Sequence, residues 1–385
     1  MVKATAFASL LAASTVAAHP GVGEEHIKHE MALRNVAHAH ASRALSNCQN
    51  SAEARALQQR SAVRRANKAI EMRQTRGLAS KPYAQHHKKR DMEELLKYVA
   101  ISHNQSAAVN YTLETPETVI FGTNNTCALV PETTIGPYYV TGEFIRSNIT
   151  EGQAGVPLHM EMQFVDINTC LPVSQLAADV WHCNSTGTYS GVEAEDTLDE
   201  TFLRGVQISD EDGVAAFDSL FPGHYADRVT HFHLVAQANV TTLPNGTYIG
   251  GTTKHIGQLY FDDALVKEVE TTYPYTTNTV AYTTPTEDGW MLEEATTDYD
   301  PFVDYVQLTD DISDGVLAWI TVGINSTANY DDEYEPASHY YAGGGVTVED
   351  AGEGTGPSNP CAVGPTEPTC TITLTDETLP AKVKY

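Results

Sequence analysis

Residues 158–165, LHMEMQFV, set Leu158, Met160, Met162 and Phe164 in strict alternation with His159, Glu161 and Gln163. A period of two is the signature of a β-strand with one face on a core, so the stretch reads as a half-buried strand. Residues 176–182, 230–237, 257–261 and 318–325 are further strand candidates, and from about residue 118 onward short β-prone runs are separated by Gly, Pro, Asn and Asp. Many short strands with little helix between them predict a mainly β chain with a β-sandwich core. Upstream, residues 53–76 are rich in Ala, Arg, Gln and Lys, good helix formers with few large apolar side chains to bury. Residues 91–100 carry a second, short helical pattern. Downstream of Asn329 the composition turns to Gly, Pro, Asp, Glu and Thr, which predicts an extended, irregular C-terminal tail.

At 385 residues the chain can bury a large core. Lys3 followed by an apolar run ending Val16-Ala17-Ala18 reads as a secretory signal over residues 1–18. Residues 19–90 then form a basic, His-rich pro-segment or helical arm closing on Lys88-Lys89-Arg90, a run of the type cut by processing proteases. Residues 91–330 make the β-sandwich domain and 331–385 the tail. Eight Asn-x-Ser/Thr sequons (Asn104, Asn110, Asn124, Asn148, Asn184, Asn239, Asn245, Asn325) fit an exported glycoprotein. In that compartment the six cysteines favour disulfides over thiolate chemistry, and one through Cys183 would brace its loop. The net charge of −27 is uneven: residues 19–90 hold 14 Lys and Arg against 5 acids, and residues 91–385 hold 8 against 45. So acidic a body excludes nucleic-acid or anionic-membrane binding by charge attraction.

Chemistry concentrates in residues 221–234, FPGHYADRVTHFHL. His231 and His233 stand one residue apart in a run with strand character, so both imidazoles share a face and can meet one metal ion. Arg228 lies three residues upstream, placed to hold an anion beside that metal. Two tyrosine-bearing motifs precede the pair: TIGPYYV at 134–140 and DVWHCNSTGTYSG at 179–191. A phenol must lose a proton of pKa about 10 to ligate, and a hard cation such as ferric iron overcomes that cost where zinc or copper takes other donors.

GPYY, then VWHCNSTGTYSG, then R-V-T-H-F-H, in that order over about residues 120–265, resembles the intradiol ring-cleavage dioxygenases: catechol, hydroxyquinol and protocatechuate dioxygenases, and most of all their secreted fungal members. The resemblance implies a mononuclear non-haem Fe(3+) held by Tyr139, Tyr189, His231 and His233. It places Arg228 over the substrate ring and Gln258, in IGQLYF, along the same pocket. Tyr189 would leave the metal and take a substrate proton. The substrate would be a small aromatic diol cleaved with O2 to a muconate-type diacid; a homodimer is the assembly that the family's cytosolic members build with an N-terminal helical segment, which has no clear counterpart in residues 19–110. Two other readings explain the histidines: a secreted zinc hydrolase using His231, His233 and a carboxylate such as Asp227, and a non-catalytic β-sandwich module that binds aromatics or glycans.

Overall fold

The computed structural model describes residues 51–84, 102–105, 117–121, 135–288, 291, 300–333 and 336–348. The signal, the short helical pattern at 91–100 and the basic run at 88–90 lie outside these residues. Helix α1 (Ala52–Thr75) is followed by a short α2 (Glu117–Ile120) and then by strands. In chain order these are β1 (Val140–Thr141), β2 (Pro157–Asp166), β3 (Ala177–Trp181), β4 (Arg204–Ile208), β5 (Val214–Leu220), β6 (His231–Ala238), β7 (Thr241–Thr242), β8 (Tyr248–Ile249) and β9 (Thr252–Tyr260). Helix α3 (Asp263–Val269) intervenes before β10 (Asp304–Gln307), β11 (Val316–Ile324), β12 (Ser338–Tyr341) and β13 (Gly344–Thr347).

Two four-stranded sheets, in the orders β10-β11-β2-β5 and β4-β3-β6-β9, face each other as a β-sandwich. Leu158, Met160, Met162 and Phe164 of β2 meet Phe232, Leu234 and Ala236 of β6, with Val180, Phe217 and Ile320, in one buried core. The alternation in β2 therefore does point its apolar side chains inward, but the strand is not half-buried. His159, Glu161 and Gln163 are buried as well, because α1 covers the outer face. Arg64 and Arg65 both pair with Glu161 (3.0 and 3.3 Å), Lys68 pairs with Asp218, and Arg65 lies 4.8 Å over the Trp319 ring. Ala66, Ala69 and Met72 pack on Leu317 and Trp319 beside them. The arm lacks large apolar residues because the face it covers is itself polar.

The same alternation places the site. Since Phe232, Leu234 and Ala236 point into the core, His231 and His233 point to the outer face of the second sheet. They lie at the start of β6, beside the ends of β3 and β5, so the loops leaving those strands fold over them. Of the stretch read as an extended tail, the described part contains the hairpin β12–β13. It pairs in parallel with β1 and ties down Gly191 through Ser338 Oγ at 2.6 Å. Among the described residues Cys170 is disulfide-bonded. Cys183, expected to brace its loop by a disulfide, is a buried free thiol whose Sγ lies 3.5 Å from the Gly223 carbonyl.

Candidate active site

His231 and His233 are buried, with their Nε2 atoms 3.0 Å apart. His231 Nδ1 lies 2.6 Å from the Val229 carbonyl, so it carries the proton and Nε2 presents its lone pair to the site. Burial holds both imidazoles well below their ordinary pKa; Arg228 adds to this for His231, and the facing His231 for His233. At that separation His233 Nε2 can donate to His231 Nε2, or both can present lone pairs to one cation. Trp181 backs the pair: it is opposite His233 in the β3–β6 register, and the two rings stack at 4.7 Å with 3° between planes.

Two phenols complete the group, Tyr189 as the motifs suggest and a second that they do not. Tyr189, on the loop after β3, is fully buried; its ring lies 6.1 Å from that of His233, and its hydroxyl meets that of Tyr225. Burial raises its pKa well above the ordinary phenol value, with neighbouring Tyr225 adding to the effect. The second phenol is Tyr225, on the loop after β5. Its hydroxyl is 3.3 Å from His231 Nε2, accepts from Arg228 Nη1 at 3.3 Å, and its ring lies 5.5 Å from that of Tyr189.

Tyr139 is a correction. Its ring packs on Trp181 at 4.9 Å and its phenol donates to Asp179 Oδ2 at 3.1 Å. Asp179 pairs with Val235, one pleat beyond the Trp181–His233 pair. That is roughly 6–7 Å farther along the strand. Tyr138, its neighbour, is the residue that reaches the site, stacking on Tyr189 at 4.4 Å. Tyr225 was overlooked although it stands in the same stretch as the histidines, in PGHY three residues before Arg228.

Backbone contact joins the two tyrosine loops. Gly187 has φ +90° and a Cβ there would lie 2.4 Å from the His224 carbonyl; a Cβ on Gly223 would lie 2.6 Å from the Asn184 carbonyl. Asn184 Oδ1 accepts from the Thr186 and Thr188 amides, both at 3.0 Å, and so shapes the turn that delivers Tyr189. At the rim, Arg228 donates to Gln258 Oε1, which also accepts from Tyr260 at 3.2 Å. Gln258 sits opposite His233 on β9 and keeps a buried, unpartnered Nε2.

The donor set of two neutral imidazoles and two phenols whose hydroxyls meet suits a hard, highly charged cation. Among the described residues no group of three His, Cys, Asp or Glu gathers anywhere. Asp227, the third ligand of the zinc reading, is exposed.

Residues 135–267 match the dioxygenase family model. Solved structures similar to the chain include an intradiol ring-cleavage dioxygenase from Tetranychus urticae, 29% identical over 53% of this chain and 98% of its own, with a TM-score of 0.45. Another is the dioxygenase domain of a dioxygenase–carbohydrate-binding fusion from Streptomyces sp. SirexAA-E, at 20% identity over 51% and 97%, TM-score 0.34. A third is catechol 1,2-dioxygenase from Pseudomonas arvilla C-1, at 17% over 53% and 65%, TM-score 0.36. No curated protein matches. Over residues 135–267, about a third of its length, the chain is thus similar to the dioxygenase family, and its structural neighbours carry the names of intradiol ring-cleavage enzymes.

Proposed function

We propose that the protein is a secreted non-haem ferric dioxygenase that opens a catechol-type ring between its two hydroxylated carbons, adding both atoms of O2 to give a muconate-type diacid. The observation that carries this reading is the convergence of Tyr189, Tyr225, His231 and His233, with Arg228 and Gln258 at their rim. Ferric iron held by the four donors would bind the diol oxygens and draw electron density from the ring. The chain does the rest. Its neutral imidazoles offer lone pairs without a proton to displace.

Tyr225 Oη is the better-placed acceptor for a substrate proton, because Arg228 lies within 3.3 Å to balance its negative charge. Tyr189, to which the resemblance gave that task, is fully buried, and burial outweighs the pull of Arg228 on its phenol, so a phenolate there would be costly off the metal. The Arg228 guanidinium would also face negative charge building on the ring under attack. Tyr138 stacked on Tyr189, with Tyr225 across from both, lines the site with aromatic faces suited to a flat ring.

The test is iron quantitation, a visible spectrum, and oxygen uptake with catechol, hydroxyquinol and protocatechuate. The expected result is one iron per chain, a phenolate-to-iron charge-transfer band, and equimolar O2 consumption with a diacid product. A colourless, zinc-containing protein that consumes no oxygen with any diol would overturn the reading. For export, the sequons at Asn148, Asn239 and Asn245 are exposed. A mass shift on glycosidase treatment of the protein from a eukaryotic secretion host is the corresponding check.

A further inference from the structure

Arg228 reaches the site only because something holds it there, and the residue that does so carries none of the motifs. Asp288 lies 60 positions downstream, on the turn that follows Thr284, and its side chain is 0% exposed. Its Oδ2 accepts from Arg228 Nε at 3.0 Å and from the Val229 amide at 2.8 Å, while its Oδ1 accepts from the Met291 amide at 3.1 Å. Val229 and Met291 belong to a buried apolar cluster with Tyr260 and Phe302. The carboxylate is therefore anchored by backbone on both sides in a dry surround, and Arg228 is its cation.

We infer that Asp288 is a positioning residue for ring cleavage: by fixing Nε of Arg228 it aims the remaining guanidinium donors at Tyr225 and Gln258 and presents the positive charge to the substrate ring. This rests on the function proposed above. The physical case is directional. A guanidinium is planar, so a bond at Nε fixes where its two Nη groups point, and in Arg228 they point to Tyr225 Oη and Gln258 Oε1. Without Asp288 the arginine loses its only buried carboxylate among the described ion pairs. It would be free to swing toward solvent, which its 13% exposed side chain already touches. Preorganised charge loses most of its effect when it must be reoriented during reaction.

The experiment is a double-mutant cycle on the full chain reconstituted with ferric iron, using Asp288→Asn, Arg228→Ala and the pair, with Asp288→Glu as the conservative variant. Asp288→Asn should lower kcat on catechol by about 10–100-fold, the range seen when a group that orients an active-site residue is removed. Iron content should not change, and in the Arg228→Ala background the second substitution should cost nothing further. Asp288→Glu should recover part of the loss.

A second measurement needs neither iron nor turnover. In the metal-free protein, phenylglyoxal labelling of Arg228, followed by mass spectrometry, should be faster in Asp288→Asn than in the parent at matched thermal stability. Losses that multiply independently in the cycle, or an unchanged labelling rate, would overturn the assignment. If the parent cleaves no diol, the functional reading fails, and the labelling rate alone decides whether Asp288 holds Arg228.

Discussion

Tyr225 and Tyr139 differ by what their hydroxyls meet. The Tyr225 phenol faces a histidine lone pair and a guanidinium, whereas that of Tyr139 faces the Asp179 carboxylate, which also accepts from Tyr248 at 2.9 Å. Burial raises the Asp179 carboxyl to about 7 against the hydrogen bonds from Tyr248 and Tyr139, which work to lower it, in a polar cluster behind Trp181. Three phenylalanine substitutions separate the roles. Tyr225→Phe and Tyr189→Phe should each shift the charge-transfer band of the iron-loaded protein and lower kcat by at least about 10-fold, whereas Tyr139→Phe should leave the band in place. A band that moves with Tyr139→Phe and not with Tyr225→Phe would restore the ligand set first read from the motifs. His231 and His233 were legible because spacing on a strand fixes which residues share a face; the roles given to Arg228, on the loop before β6, and Gln258, on β9, came with the resemblance. The phenols were not, because each arrives on a loop. Of the tyrosines in TIGPYYV and PGHY, nothing local says whether Trp181 will stand between one of them and the metal.

At the scale of elements, the site is an outer-face assembly: β6 supplies two histidines, β9 a glutamine, and two loops descend on them from neighbouring strand ends. The strands were readable where alternation or β-branched runs were strong. β4 and β5 were missed: RGVQI and VAAFDSL mix small and charged residues whose burial depends on partners far along the chain, as with Arg204 against Ser190 and Glu143. The two tyrosine loops depend on each other through Gly187 and Gly223. Gly187→Ala would force a side chain into a left-handed conformation and to within 2.4 Å of the His224 carbonyl. A local cost of about 1–3 kcal/mol is expected from the backbone strain alone. Because the displaced carbonyl belongs to the residue before Tyr225, iron affinity should fall more than thermal stability does. A variant that loses stability but binds iron as tightly as the parent would show that the loops are set independently.

For the whole molecule, the uneven charge along the chain is resolved by docking. The basic arm lies on an acidic sheet, with Arg60 and Arg64 on Asp212, Lys68 on Asp218 and Lys81 on Asp314, around the buried Arg65–Glu161 pair. The surface pairs alone would hold the arm weakly. The Arg65–Trp319 contact and the packing of Ala66, Ala69 and Met72 against the sheet make removal costly, because Glu161 and Gln163 would lose their partners. A segment that could be taken for a disposable pro-peptide is thus the outer layer of the sandwich. Cutting the chain between residues 84 and 102, at an introduced protease site, should leave residues 51–84 bound to the body through gel filtration at pH 7.

Acid provides the second arm of the test. Arg60 holds the Asp212 carboxyl below its ordinary value; burial would raise Asp218 and Asp314, but His159 with Lys68 brings Asp218 down to about 2, and Lys81 lowers Asp314. Carboxyls depressed in the folded state stabilise fully above their unfolded pKa of about 4 and lose that contribution as pH falls through the folded value. The cut complex should therefore co-elute at pH 7 and pH 5 and lose the surface pairs' share of its affinity only below about pH 4. Separation of the arm at pH 7 in moderate salt would mean that the surface pairs hold it and that the buried layer does not.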